Sequence, residues 1–139
     1  MEDILEFRTA EKSLLRVLIV EDNLEDIYFA KRAVQGILPD ATIVCVEGIG
    51  EAYQASRNVE FDLILLDLNL PDGFGPNSVQ EVRRFFRQGT IFVLTGLASP
   101  LTTQQSLEKG ASRLFMKKEL NSPEFENAVR EISYSAASH

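Results

Sequence analysis

Four short apolar stretches, separated by segments of helical spacing, limit what this chain can fold into more than any other feature. The stretches are residues 17–20, 42–46, 63–66 and 91–94, and a weaker fifth covers residues 113–116. Short uninterrupted apolar runs are typical of strands that are buried on both faces of a parallel sheet. Their alternation with helices therefore predicts an α/β fold built on a parallel sheet.

Helical periodicity marks the segments between these stretches. Apolar residues recur every three or four positions at Ile27, Ala30, Val34 and Ile37, and again at Val79, Val82 and Phe86. Ser99 and Ser122 each precede a proline. Because a serine hydroxyl can cap a helix and a proline in the first turn loses no hydrogen bond, two further helices are predicted to begin there.

The length and charge of the chain exclude several classes of protein. Its 139 residues suit one domain, and we predict that no output domain follows the last helix. The formal net charge of −7 argues against nucleic-acid binding. The apolar runs are far too short to span a membrane and the acidic N-terminus has no signal-peptide pattern, so a cytoplasmic location with no membrane partner is predicted. The single cysteine, Cys45, is predicted to be a buried strand residue.

Polar side chains follow four of the five predicted strands. Glu21 and Asp22 follow the first strand, Asp67 the third, Thr95 the fourth and Lys117 the fifth. In an open parallel sheet, ligands bind outside the carboxyl ends of the strands, next to the point where the strand order reverses. These side chains are therefore predicted to form one site at that edge.

The residue types at this edge indicate metal and phosphate chemistry. Grouped carboxylates must either raise a pKa or bind a cation, and Glu21, Asp22 and Asp67 offer the oxygen ligands that Mg²⁺ prefers. A backbone carbonyl just past Asp67 could complete the set. Lys117 offers a point charge to a phosphoryl oxygen, and Thr95 offers a hydroxyl. Because a carboxylate can accept phosphate covalently, the arrangement favours phosphoryl transfer.

The residues of the site lie in four runs, VLIVEDN, LILLDLNLPDG, IFVLTG and GASRLFMKKEL. Together these runs resemble the receiver domain of two-component response regulators, across roughly residues 14–135, which leaves residues 1–13 as an N-terminal extension. The resemblance implies a flavodoxin-like fold, in which a doubly wound five-stranded parallel sheet of order 2-1-3-4-5 is surrounded by five helices. It also implies a phosphoacceptor rather than an enzyme, here as a stand-alone receiver that signals by protein contact.

The same resemblance implies a role for each residue of the site. Asp67 is the phosphoacceptor, Glu21 and Asp22 form the acidic metal pair, Asn69 lends its backbone carbonyl to Mg²⁺, Thr95 is the switch hydroxyl and Lys117 is the essential lysine. The donor is a sensor histidine kinase or a histidine phosphotransfer protein, and the downstream target is a protein. Leu97 flanks the phosphoryl group and influences how fast water attacks it. The resemblance specifies neither the individual kinase and target nor the oligomeric state.

Two positions depart from the family pattern. Leu114 stands three residues before Lys117, where the family usually has an aromatic residue, and Phe115 is next to it. Lys118 stands where a cis-proline commonly follows the lysine. The usual aromatic switch residue is therefore missing from its position, and the loop after the fifth strand needs no cis bond.

Surface residues of two predicted helices give further expectations. Tyr28 and Phe29 lie on the first helix, where kinases dock on receiver domains, and we predict that one of them is in the core. Arg83, Arg84 and Arg87 form a basic cluster on the third helix that is predicted to be solvated.

Two other functions fit parts of the pattern. A phosphatase of the haloacid dehalogenase type also places an aspartate after an apolar strand. It uses an acid two residues after that nucleophile, where this chain has Asn69, which cannot protonate a leaving group. A pseudo-receiver that binds partners without phosphate would lack a site residue, and none is missing.

Overall fold

The computed structural model describes residues 15–138 of the chain, and the side chains as far as residue 135. The predicted N-terminal extension, residues 1–13, lies outside the described residues, as does residue 14. None of the described helices is long and apolar enough to cross a membrane.

Five parallel strands form the main sheet. They are β1 (Arg16–Val20), β2 (Thr42–Val46), β3 (Leu63–Asp67), β6 (Thr90–Thr95) and β7 (Arg113–Met116). The strand order is β2-β1-β3-β6-β7, which is 2-1-3-4-5 when these five are counted along the chain. Two short strands, β4 (Asn69–Leu70) and β5 (Gly73–Phe74), form an antiparallel hairpin directly after β3. The predicted flavodoxin-like sheet is confirmed, whereas the hairpin was not predicted.

Within the described residues, five helices surround the sheet, as predicted. They are α1 (Leu24–Ile37), α2 (Ile49–Ser56), α3 (Asn77–Phe85), α4 (Pro100–Glu108) and α5 (Pro123–Ser138), and a short 3-10 helix covers Lys117–Glu119. The hydroxyl of Ser99 accepts a hydrogen bond from the Thr102 N–H, and that of Ser122 accepts one from the Phe125 N–H. Both predicted serine caps are thus present, and such a cap stabilises a helix by about 1 kcal/mol.

The core has two layers because successive residues of a strand point to opposite faces of the sheet. Val17 and Ile19 of β1 pack with buried residues of α1 and α5, while Leu18 and Val20 pack with those of α2 and α3. All five residues of β3 are buried. Since a fully buried leucine or isoleucine contributes about 1.5–3 kcal/mol, this packing stabilises the central strands.

The prediction that the second strand is buried on both faces is wrong. Among the described residues, β2 pairs only with β1 and is an edge strand. Residues 42–45 are accordingly half-buried or exposed, and Cys45, predicted to be buried, is exposed. An edge strand has a neighbouring strand on one side only. A short apolar run in the sequence does not distinguish an edge strand from a central one.

One prediction about the helix surfaces is also wrong, and a second is wrong for one residue. Tyr28 and Phe29 are both exposed, at 54% and 53%, because the buried face of α1 is formed by Ala30 and Val34 instead. Of the basic cluster predicted to be solvated, Arg84 and Arg87 are exposed. Arg83 is not, since its guanidinium donates hydrogen bonds to the backbone carbonyls of Phe86, Gly89 and Gly110.

Candidate functional site

Three carboxylates meet where β1 and β3 end. Val20 of β1 pairs with Leu66 of β3, so that Glu21 and Asp22 follow one strand at the level where Asp67 ends the other. One carboxylate oxygen from each of these three acids lies within 4.8 Å of the other two. The predicted acidic cluster is therefore present, with Glu21 and Asp67 buried and Asp22 exposed.

Glu21 is held by hydrogen bonds of both its backbone and its side chain. Its backbone N–H donates a 2.9 Å hydrogen bond to the Val46 carbonyl, and its Oε1 accepts one of 3.1 Å from the Asn23 N–H. Burial raises the pKa of Glu21 to about 7, and the negative charge of Asp67 adds to this, while Lys117 and the Asn23 N–H act in the opposite direction. A cation bound at the site would therefore stabilise the deprotonated form of Glu21.

Lys117 joins the acids from the end of β7. Its Nζ lies 2.9 Å from Glu21 Oε2 and 3.5 Å from Asp67 Oδ1. Partial burial by itself lowers the pKa of Lys117, but the neighbouring carboxylates outweigh it, and the pKa is raised above its ordinary value. The side chain is consequently an ammonium ion at neutral pH, next to the predicted acceptor.

A fourth acid, Asp26, belongs to the site and was not predicted. Lys117 Nζ donates a 2.8 Å hydrogen bond to Asp26 Oδ2. Asp26 lies in the first turn of α1, where its backbone N–H donates to the Oδ1 of the cap residue Asn23. An acid three residues after an Asn cap is a common helix start, so the sequence pointed only to helix capping.

The charges of the site favour a hard cation. The carboxylates of Glu21, Asp22 and Asp67 lie close enough together to share a cation, and Lys117 supplies one positive charge beside Glu21 and Asp67. An all-oxygen donor set with an excess of negative charge fits Mg²⁺, which is typically held by one or two carboxylates together with water and phosphate oxygens.

Thr95 ends β6 next to the acidic cluster. In the sheet, Leu94 is paired with Asp67, and Thr95 with Met116, the residue before Lys117. The Thr95 hydroxyl donates a 3.1 Å hydrogen bond to the carbonyl of Leu97 and is thus held by its own loop. The side chain of Leu97 is 86% exposed and does not pack on that loop.

The aromatic residue beside the site lies in the core. Phe115 is 2% exposed and packs edge to face against Phe92 and Phe125, on the side of the sheet covered by α1 and α5. Leu114, at the family's aromatic position, is partly buried on the opposite side. Phe115 therefore does not stand in for the missing aromatic residue. No cis peptide bond occurs among the described residues.

The hairpin after Asp67 is anchored to α2. Asp72, between β4 and β5, accepts hydrogen bonds from the backbone N–H groups of Ile49 and Gly50, at 2.8 and 3.0 Å. These bonds lower the pKa of Asp72. Asn69 is the first residue of β4, two residues past Asp67. The hydrogen bonds of Asp72 therefore also restrain the backbone of Asn69, whose carbonyl is predicted to bind Mg²⁺.

Comparison with known proteins agrees with this arrangement. The chain matches the family model of the response regulator receiver domain over residues 17–130. The autoinducer 2 sensor kinase/phosphatase LuxQ of Vibrio vulnificus (strain YJ016) is 33% identical over 104 residues, which cover 74% of this chain and 12% of LuxQ. The swarming motility regulation protein RssB of Serratia marcescens is 30% identical over 119 residues, which cover 86% of this chain and 53% of RssB. The chain spans less than two thirds of either relative.

A solved structure shares the fold. It is a response regulator receiver domain protein, described as CheY-like, from Methanospirillum hungatei JF-1, with a TM-score of 0.73 and 22% identity. The match covers 91% of this chain and 99% of that one. Because the family model spans most of the sequence and the sheet has the order of this fold, the chain belongs to the response regulator receiver domain family, which supplies phosphoacceptors to two-component signalling.

Proposed function

We propose that this chain accepts a phosphoryl group on Asp67 from a phosphohistidine donor, with Mg²⁺ as its cofactor. One observation supports the proposal above all others. The buried Asp67 carboxylate is clustered with those of Glu21 and Asp22 and lies 3.5 Å from Lys117 Nζ. A cation site and an ammonium beside the acceptor would neutralise the charge of a transferring phosphoryl group.

In the proposed step, an Asp67 oxygen forms a bond to phosphorus while the bond from phosphorus to the donor's histidine nitrogen breaks, and its electron pair returns to the imidazole. Lys117 donates to a phosphoryl oxygen. The carboxylates of Glu21, Asp22 and Asp67 and the backbone carbonyl of Asn69 would hold Mg²⁺, which would supply positive charge to the phosphoryl oxygens. Asp67 is the nucleophile and so becomes an acyl phosphate.

Thr95 is the proposed switch residue. Its hydroxyl would exchange the Leu97 carbonyl for a phosphoryl oxygen, and the loop after β6 would move with it. The surface that changes would include α4, on which Leu101 and Leu107 are 61% and 44% exposed. We propose that a downstream protein reads this surface, since exposed apolar side chains are common in protein contacts.

The surface of α1 is the proposed docking site of the donor. Tyr28 and Phe29 line a groove of about 600 Å³ that also contains Glu21 and Lys117, so a partner held there is beside the acceptor. Phe29→Ala should slow transfer from a sensor histidine kinase or a histidine phosphotransfer protein but leave labelling by acetyl phosphate unchanged. Equal slowing of both reactions would argue against this docking site.

Acetyl phosphate and Mg²⁺ provide the direct test of the acceptor. Intact-mass measurement should show one phosphate per chain on the wild type and none on Asp67→Asn, and EDTA should prevent labelling. A wild-type mass that stays unchanged would reject the proposal. Multiple turnover of a generic phosphate ester would instead favour the phosphatase alternative.

Two narrower features are also proposed, namely the domain bounds at residues 14 and 135 and the cytoplasmic location. Expression at native level, followed by cell fractionation, would check the location.

A further inference from the structure

Asp26 makes the shortest contact to the site lysine. Lys117 Nζ lies 2.8 Å from Asp26 Oδ2, compared with 2.9 Å to Glu21 Oε2 and 3.5 Å to Asp67 Oδ1. The side chains of Lys117 and Asp26 are 23% and 32% exposed, so this contact is partly shielded from water. Charge-assisted hydrogen bonds of this length are among the stronger polar contacts in proteins.

The position of Asp26 differs from that of the other acids. The three carboxylates grouped tightly enough to share a cation are Glu21, Asp22 and Asp67, and Asp26 is not among them. The Glu21 carboxylate therefore belongs to the candidate cation site and also contacts Lys117. Asp26 contacts Lys117 but is not part of the candidate cation site.

The start of α1 fixes Asp26 in place. The Oδ1 of Asn23 accepts a hydrogen bond from the Asp26 N–H, and the Asn23 N–H donates to Glu21 Oε1. Asp26 thus stands on a capped first turn that is tied to β1, and its carboxylate needs little reordering to meet the lysine.

We propose that Asp26 is a positioning residue for phosphoryl uptake, which holds the Lys117 ammonium from α1 so that the lysine still faces Asp67 when the acidic pair binds its cation. An ammonium has three N–H donors, and its contact with Asp67 is the longest of the three. Asp26 and Glu21 direct two of these donors, which leaves the third for an oxygen at the acceptor. The proposal rests on the proposed function of Asp67 and Lys117.

The test compares neutral and conservative variants of Asp26. Asp26→Asn removes the charge, Asp26→Ser serves as a second neutral variant should the first fail to fold, and Asp26→Glu keeps the charge. Glu25→Gln is the matched control, since Glu25 is exposed on the same helical turn and loses the same charge. The initial rate of labelling by acetyl phosphate and the affinity for Mg²⁺ alone are measured for each, with thermal unfolding as a check of folding.

Asp26→Asn should slow labelling on the order of tenfold, whereas Asp26→Glu should remain within about threefold of the wild type. Glu25→Gln should match the wild type, and Mg²⁺ affinity should stay within about twofold in every variant because Asp26 is not a metal ligand. In a Lys117→Met background, Asp26→Asn should cause no further slowing, since its effect passes through the lysine.

Three results would overturn the proposal. The first is a labelling rate of Asp26→Asn equal to that of Glu25→Gln. The second is equal slowing with and without Lys117, which would mean a general structural effect. The third is a large loss of Mg²⁺ affinity, which would make Asp26 a metal ligand. Failure of the wild type to be labelled would reject the proposed function itself and is thus a separate outcome.

Discussion

The carboxylate of Asp72 accepts a 2.8 Å hydrogen bond from the backbone N–H of Ile49, although 23 positions separate the two residues. The cap residue of α2 is Gly48, which has no side chain to satisfy the first N–H groups of that helix. Asp72 provides this cap from the hairpin next to the acceptor. A Cβ atom on Gly48 would lie 2.8 Å from Asp72 Oδ1, so the glycine leaves room for the carboxylate.

Asp72→Ala should lower the free energy of unfolding by about 1 kcal/mol, the usual value of a helix cap. Denaturant titration measures the effect, and Asp40→Ala serves as control because Asp40 is an exposed acid in a turn. That control should stay within about 0.5 kcal/mol of the wild type.

The pKa of Asp72 is lowered from 3.8, so the stability that its carboxylate contributes is complete above this pH and is lost as the pH falls through the folded value. A difference between wild type and Asp72→Asn that persists at low pH would contradict this account.

Glu21 should make the metal-free protein less stable at high pH. Its pKa is raised by burial from 4.5 to about 7 in the folded state, so the folded chain holds the proton more tightly than the unfolded chain. The resulting stability is complete below pH 4.5 and is lost as the pH rises through about 7. In EDTA, Glu21→Gln should therefore gain stability relative to the wild type between pH 5 and pH 8. If the stabilities of the wild type and Glu21→Gln change in parallel with pH, the raised pKa of Glu21 is refuted. Glu25→Gln is the control, and its stability should change in parallel with that of the wild type.

Arg83→Ala should lower the free energy of unfolding by about 2 kcal/mol, because the guanidinium donates to the carbonyls of Phe86, Gly89 and Gly110. Arg83→Lys should recover little, since an ammonium does not have the planar fork that reaches these acceptors together. Arg84→Ala is the matched control because Arg84 is exposed on the same helix, and we expect a change within about 0.5 kcal/mol. Equal losses for the two arginines would show that charge alone matters.

Leu97→Glu should shorten the half-life of phosphorylated Asp67 by at least about threefold, because a carboxylate on the exposed loop can assist an attacking water molecule. Leu97 is 86% exposed, so the substitution should not disturb the core. The half-life is measured from intact mass after excess acetyl phosphate is removed. Leu101→Glu, which introduces the same charge on α4, should leave it unchanged. An unaltered half-life of Leu97→Glu would exclude a role for this position.

The sequence was sufficient to predict the fold and the acidic cluster. Uninterrupted apolar runs identify central strands, and the parallel arrangement then requires their following residues to meet at one edge. Glu21, Asp22, Asp67 and Lys117 follow such strands, and in the structure the three acids form one cluster with Lys117 beside Glu21 and Asp67.

The remaining parts of the site depend on side chains that reach across elements. Asp26 lies on a helix and Asp72 in a hairpin, and neither follows a strand of the main sheet. Their local patterns, an Asn-capped helix start and a Pro-Asp-Gly turn, are explained by capping and turn formation alone. Contacts between residues 91 and 23 positions apart are decided by tertiary packing, which a single sequence does not encode in any short motif.

The edge position of β2 has a practical consequence for experiments on this receiver domain. Cys45 is the only cysteine of the chain and is exposed on that strand, which β1 separates from β3 and its acceptor residue. A thiol-reactive fluorophore or spin label can therefore be attached to the unaltered sequence at one defined point. Such a label would let donor encounter be followed in real time without engineering a reporter site.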